Sequence, residues 1–382
     1  MKYVDEYRDG KLAREVAERI RNEASPERVY HLMEFCGGHT HAIFRYGIPD
    51  LLPDNVKMIH GPGCPVCVLP ISRLDTAIEL AVTHGVILCS YGDMMRVPGS
   101  RRRSLLKARA EGADVRMVYS SMDALKLAQD HPDREVVFFA IGFETTTPPT
   151  ALIIHQARKL GLKNFSVFCN HVLTPAAIGS ILDSPEAGEL GLLTLDGFVG
   201  PAHVSTVIGS QPYERFAEEY SKPIVIAGFE PLDLLQAILM LIRQVNDGRS
   251  EVENEFSRAV TRQGNERAKQ IVDETFEERD TFEWRGLGFV PLSALQIRPE
   301  FADLDAEKRF PVEYRSSAEN SACECGPILH GVKSPRDCTL FGGACTPENP
   351  LGPCMVSSEG ACAAYYSYGR HQESLIATDN GE

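Results

Sequence analysis

The chain has 382 residues, 43% of them hydrophobic, with 39 basic and 53 acidic side chains and a formal charge of −14. That length accommodates two or three domains with cores of their own. The acidic balance argues against a nucleic-acid binder, and no apolar run reaches the roughly 18 residues of a membrane span.

The first residues, MKYVDEYRDGKLAREVAERI, are charged and lack the apolar stretch of a signal peptide, so a cytoplasmic location is expected. Short strands rich in β-branched or aromatic residues follow at 29–35 (VYHLMEF), 56–60 (VKMIH), 85–90 (GVILCS) and 114–119 (DVRMVY). Between them, 72–85 has helical periodicity, and GSRRRS at 99–104 reads as a solvated loop. The pattern continues with strands at 135–142 (EVVFFAIG), 165–170 (FSVFCN) and 222–228 (KPIVIAG), and helices at 150–161 and 232–245. Nearly continuous apolar strands alternating with helices predict an α/β fold with parallel sheets covered on both faces. A weak repeat, VVFFAIGFETTTPP (136–149) against PIVIAGFEPLD (223–233), suggests two similar units, 1–125 and 126–300. In each copy a glycine (Gly142, Gly228) permits a tight strand exit, and a carboxylate (Glu144, Glu230) suits a helix N-terminus. CNHVLTPAAIG (169–179) and VGPAHVSTVIG (199–209) read as loops before helices, with His171 and His203 either lining a crevice or structural. The charged segment 246–285 reads as a solvated helical surface. Beyond about 300 the composition turns to Gly, Pro and Cys, so 301–382 is expected to be a small domain held by something other than an apolar core.

Eleven cysteines are many for a reducing compartment, where metal ligation or thiol chemistry is a better expectation than a disulfide framework. Six of them, Cys323, Cys325, Cys338, Cys345, Cys354 and Cys362, crowd into forty residues. A metal centre would supply the cross-links that this Gly/Pro-rich segment lacks. A [4Fe–4S] cluster takes four thiolates, whereas structural zinc usually takes close CxxC pairs, of which this segment has none. The cluster is therefore favoured over zinc, and the spacing does not select which four cysteines bind it. In the first half, Cys64 and Cys67 form a true CxxC after a strand, which reads as a redox dithiol or as half of a zinc site. FCGGHTH (35–41) places Cys36 at a strand's carboxyl end, where open α/β sheets bind their ligands. His39, three residues on, suits iron ligation or activation of the thiol, and His41 would cap the next helix or face solvent. Cys89 and Cys169, within apolar strands, read as core.

Together, EFCGGHTH (34–41), HGPGCPVCVLP (60–70), GDMMRVPGS (92–100), IGFETTTPPTA (141–151), CNH (169–171), GPAHVSTVIG (200–209), AGFEPLD (227–233) and the block from Cys325 to Tyr368 closely resemble the HypD family of hydrogenase maturation factors, over nearly the whole chain. The resemblance implies a scaffold and redox protein, rather than a conventional metabolic enzyme, for assembling the Fe(CN)2CO part of the [NiFe]-hydrogenase active site. It implies iron held jointly by Cys36, with His39 beside it, and the small chaperone HypC, with cyanide delivered by HypE. It selects Cys325, Cys338, Cys345 and Cys362 for the [4Fe–4S] cluster and leaves Cys323 and Cys354 as a second dithiol. Electrons would pass from the cluster through Cys323/Cys354 to the redox pair Cys64/Cys67. Because thiol–disulfide exchange needs contact, the α/β units and the cysteine-rich domain should meet at one cleft. The competing reading is an iron–sulfur-dependent protein disulfide reductase, which leaves CGGHTH without a task. A zinc-stabilised interaction module is a further rival. A nucleotide-binding enzyme is disfavoured because no P-loop or GxGxxG occurs in the required context.

Overall fold

The structure is a computed structural model and describes residues 4–183, 195–312, 314 and 322–369. Two parallel sheets organise the chain. The first has the order β2–β1–β7–β8–β9, from β1 (Tyr30–Glu34), β2 (Val56–His60), β7 (Gly197–Pro201), β8 (Ile224–Ala227) and β9 (Val252–Asn254). The second has the order β4–β3–β5–β6, from β3 (Ile87–Ser90), β4 (Val115–Met117), β5 (Val136–Gly142) and β6 (Phe165–His171). Neighbouring strands in both sheets run parallel. β5 and β6 are buried at every position, which is why β5 reads VVFFAIG without alternation, while β6 also encloses Ser166, Asn170 and His171. The helices Thr147–Leu160 and Pro231–Asp247 have proline in the first turn and stop at left-handed Gly161 and Gly248.

The α/β class and all seven expected strands are present, but their distribution departs from two consecutive blocks. The chain leaves the first sheet after β2, completes the second, and returns to the first at β7. A division at 125/126 therefore passes between β4 and β5, which flank β3 in one sheet. Apolar periodicity marks a strand without naming its neighbour. The Gly-Phe-Glu repeat likewise sits on strands in non-equivalent positions: β5 lies next to β3 inside the second sheet, and β8 lies beyond β7 in the first. The two sheets nonetheless share one winding, in which the third strand lies on the opposite side of the first from the second. This creates a crevice at the carboxyl ends of β1 and β7, and another at β3 and β5.

The segment 246–285 is mostly not helical. It contains β9, turns, one helix at Glu266–Thr275, and the start of antiparallel pairs that join Phe276–Glu278 to Leu295–Ile297 and Thr281–Trp284 to Gly288–Pro291. β7, its last three residues expected to open a loop, is a fully buried strand; its sequence, GFVGP, is too short and glycine-rich to look like one. Residues just beyond 300 pack on the second sheet, with Asp305 bridging to Val167 and Arg309 donating to the Phe165 carbonyl at 2.9 Å and to Glu135 at 2.7 Å. The cysteine-rich module proper is described from Ala322 to Gly369. It has short helices at Cys325–Leu329 and Ala361–Tyr368 and single turns at Pro335–Asp337 and Pro353–Met355. Among the described residues no helix is long and apolar enough to cross a membrane.

Cys89 and Cys169 are core residues, the latter donating to the Leu295 carbonyl at 3.4 Å. His171 is also structural, held by Thr150 at 2.9 Å and Thr146 at 3.4 Å. A buried ion cluster fastens β6 to the segment after 300. Arg73 donates to Glu307 at 2.8 Å and to the Cys169 carbonyl at 2.7 Å, and Arg279 pairs with the other Glu307 oxygen. Burial pushes the Glu307 carboxyl up, but Arg73 and Arg279 override it and hold it at about 2. Glu307→Gln should cost about 3 kcal/mol, because it strands buried guanidinium charge. With a depressed folded-state pKa, the contribution is complete above the unfolded carboxyl's pKa of about 4.3. It is lost as pH falls through about 2. Urea unfolding should therefore show a wild-type advantage that narrows across that window.

Candidate functional site

β1 ends at Glu34, and Cys36 follows in extended conformation (φ −144°, ψ 123°) as the N-cap of the helix Gly37–Arg45. Only 8% of Cys36 is exposed. Its N–H, which the helix cannot satisfy, donates to Glu34 Oε2 at 2.8 Å. Glu34 is fully enclosed, and its other oxygen accepts from the Thr40 hydroxyl and, at 2.9 Å, from His60 Nδ1. The loop after β2 crosses directly over this turn: Gly37 N–H donates to the Gly63 carbonyl at 3.0 Å. A Cβ at Gly63 would lie 2.6 Å from Cys36 Cα, and one at Gly37 would lie 2.6 Å from Glu359 Cβ. Glycine is required at both because three backbones converge there: the Cys36 turn, the loop before CPVC and the cysteine-rich module.

Burial pushes the Cys36 thiol well above the usual cysteine range. Glu359 and Glu34 add to the effect, opposed only in part by the N–H groups of Gly38 and His39. The Glu359 carboxyl is itself raised by burial, Asp93 and Glu34. His39 is fully buried, and its Nε2 lies 2.9 Å and 3.0 Å from the carbonyls of Ala227 and Gly228. Carbonyls only accept, so Nε2 carries the proton. Burial lowers the His39 pKa, the ring is neutral, and Nδ1 keeps its lone pair. That atom is enclosed without a hydrogen-bond partner, and a histidine that donates its other nitrogen to backbone carbonyls in this way matches the usual support of a metal-ligating imidazole. Phe229 separates His39 (4.8 Å between ring centroids) from His203 (4.0 Å). His41 neither caps its helix nor faces only solvent. It contacts the cysteine-rich module through the Ser358 carbonyl at 3.3 Å and the Tyr368 ring at 5.3 Å.

Cys64 and Cys67 are disulfide-bonded, with Cα atoms 5.2 Å apart, across the single turn Pro65–Val68. Both are buried, and Cys67 N–H donates to Cys64 Sγ at 3.3 Å. This turn packs on the turn Pro353–Met355, which contains Cys354. One apolar core encloses Cys64, Cys67, Trp284, Cys325, Cys345, Cys354 and Cys362. The antiparallel hairpin closes the same junction, with Arg285 N–H on the Val68 carbonyl at 2.7 Å and His330 on the Gly286 carbonyl at 2.7 Å. The expected meeting of the front thiols with the cysteine-rich module is therefore present.

Within the module, the Sγ atoms of Cys323 and Cys325 lie 3.3 Å apart. Cys325, Cys345, Cys354 and Cys362 lie in one apolar core, and the partly buried Cys323 and Cys338 pack against it. A Cβ at Gly352 would lie 2.6 Å from Cys325 Sγ; the glycine leaves the sulfurs a cradle. Among the described residues no set of three or more His, Cys, Asp or Glu side chains closes around a single metal ion. A group of four buried and two half-buried thiols, with so little regular structure around it, has the donor chemistry that a larger iron–sulfur core requires. A cavity of about 1260 Å³, lined by Glu144, Asp183, Arg215, Glu278 and His330 among others, touches none of these thiols. Glu144 accepts from Thr174 N–H and Oγ1, so it caps a different helix from its own.

Sequence reasoning missed Glu34, His60 and Glu359. Glu34 precedes Cys36 by two residues and reads as the end of a strand. Glu359 lies in a Ser/Gly turn more than 300 positions away. The glycines in HGPGC and CGGHTH were the available signal that something approaches closely, without saying what. Gly63→Ala should lower stability by about 1–3 kcal/mol, because the turn cannot absorb a methyl group. Gly343→Ala, whose Cβ would meet nothing nearer than 4.0 Å, should change the thermal midpoint little, and thermal unfolding of the two variants checks both.

The family model HypD, described as the hydrogenase formation hypA family, matches residues 11–369. The hydrogenase maturation factor HypD of Azotobacter vinelandii is 71% identical over 377 residues, covering 99% of both chains. That of Cupriavidus necator is 66% identical, covering 98% of both. That of Escherichia coli K12 is 47% identical, covering 98% of this chain and all of its own. With matches spanning nearly every described element, the chain belongs to the HypD family of hydrogenase maturation factors.

Proposed function

We propose that this protein is the scaffold on which the Fe(CN)2CO unit of the [NiFe]-hydrogenase site is assembled, with Cys36 as its thiolate ligand to the iron. The observation that carries this reading is the surrounding of Cys36: a buried thiol faced by the carboxylates of Glu34 and Glu359, next to an imidazole whose Nδ1 lone pair has no partner. Two carboxylates beside a thiol oppose its ionisation. A cation placed there reverses the balance, since the same negative charges then stabilise the metal-bound thiolate. The iron is cargo, shared with a cysteine of the small chaperone HypC, and its cyanide ligands come from HypE.

Cys325, Cys338, Cys345 and Cys362 are the thiolates we assign to a [4Fe–4S] cluster. When bound, such a cluster supplies electrons one at a time. Cys354 lies at the turn that packs on Pro65–Val68, which supports exchange between a Cys323/Cys354 dithiol and the Cys64–Cys67 disulfide. In that exchange two thiols become a disulfide and one disulfide becomes two thiols, moving two electrons with no net proton release. Cys64/Cys67 as a dithiol then stands beside the Cys36 turn through the Gly63–Gly37 contact. Strong-field cyanide and carbon monoxide favour low-spin Fe(II), and a dithiol beside the site would help to keep bound iron ferrous. The site belongs with the maturation machinery rather than in a cytoplasmic disulfide reductase, because a reductase would use Cys64–Cys67 and leave the enclosed Cys36 and His39 idle.

The test is infrared spectroscopy of the anaerobic complex with the chaperone. Cys36→Ala should abolish the iron-bound diatomic bands while visible absorption from the cluster persists. Bands of undiminished intensity in that variant would defeat the assignment, and substrate disulfide reduction without any diatomic bands in wild type would favour the reductase.

A further inference from the structure

A line of contacts outside the thiol chemistry joins the cysteine-rich module to Cys36. The helix Ala361–Tyr368 carries Cys362 at its start and presents Tyr365 and Tyr368, three residues apart, to the helix that Cys36 caps. Tyr365 meets Phe44 edge-on at 4.8 Å between centroids, and Phe44 lies 4.9 Å from the His60 ring. His60 Nδ1 donates to Glu34 Oε1 at 2.9 Å, and Glu34 Oε2 accepts the Cys36 N–H at 2.8 Å. Phe44, His60 and Tyr365 also line a cavity of about 440 Å³ between β2 and the cysteine-rich module.

We propose that His60 and Glu34 are positioning residues, which fix the Cys36 turn and pass to it the seating of the helix that carries Cys362. The enclosed Glu34 carboxylate serves three donors, two of them on the Cys36 turn and its helix. Three donors exceed what the single carbonyl oxygen of an amide serves well. Among the described donors to that carboxylate, His60 is the one from outside its own loop, and its ring is in turn packed by Phe44 under Tyr365. The backbone N–H of Cys36 has no helical acceptor, so a Glu34 that shifts leaves a buried donor unmade, and the turn then samples other conformations. The significance of this for metal loading rests on the proposed roles of Cys36 and Cys362. The linkage itself does not.

The test is the rate at which iodoacetamide labels Cys36 in the reduced full-length protein, prepared without oxygen and without partner proteins, read by peptide mass spectrometry. His60→Ala should speed labelling about tenfold, the scale of one lost buried hydrogen bond, with buried Cys89 and Cys169 labelled as slowly as in wild type. Tyr365→Leu should move the rate the same way by less, and the double variant should fall short of the product of the two effects. His60→Gln, which keeps an N–H donor for Glu34, should restore most of the protection. Rates within twofold of wild type in His60→Ala, equal acceleration at all three cysteines, or strictly multiplicative effects would each overturn the proposal. If His60→Ala does not fold, the Tyr365→Leu and His60→Gln pair decides by the same criteria. The measurement needs no bound iron: absent diatomic bands in wild type would end the scaffold reading and leave this result to stand or fall separately.

Discussion

Between Cys36 and Gly63 two backbones touch with no side chain between them, and Gly37 lies against the Cβ and the carbonyl of Glu359. That convergence brings together parts of the chain that are distant in sequence: the first strand's exit, the CPVC disulfide and the turn before the last helix. A methyl group at either glycine would separate them. The arrangement of the sheets serves the same end. β1 and β2 lie side by side, so the two thiol loops leave from adjacent carboxyl ends, and the module is seated over both.

Charge distinguishes the thiols at this junction. A disulfide is neutral and tolerates burial, and Cys64–Cys67 sits in an apolar core. Burial first, and the neighbouring Glu359 and Glu34 second, make the anion of Cys36 unfavourable. In the module, Cys325 and Cys362 are pushed well up, first by hydrogen bonding among neighbouring thiols and then by burial, and burial raises Cys345. One element type therefore occupies three electrostatic settings, each suited to different chemistry.

Much of this was legible in the sequence. Continuous apolar runs such as VVFFAIG announced the strands, because strands covered on both faces have no polar side to display. Cys36, Cys64, Cys67 and the terminal cysteines were visible as reactive residue types beside glycines. β7 was not, because GFVGP draws its burial from neighbours rather than from its own composition. Membership of the sheets was not, because β3 and β5 pair across a crossover that periodicity does not encode. Glu34, His60 and Glu359 were hidden for a related reason: a carboxylate at a strand end or in a Ser/Gly turn is ordinary until the fold encloses it beside a thiol.

The central claim is that sulfur in this molecule does two separable jobs, holding a permanent cluster in the module and a transient low-spin iron at Cys36. Mössbauer spectroscopy of isotope-enriched protein, isolated without oxygen together with its small chaperone, tests it most directly. The account predicts two iron populations: one with the parameters of a [4Fe–4S] cluster, and one with those of a mononuclear low-spin Fe(II) that disappears when Cys36 is replaced. A spectrum in which all the iron belongs to a single environment, or in which the mononuclear component survives that replacement, would contradict it.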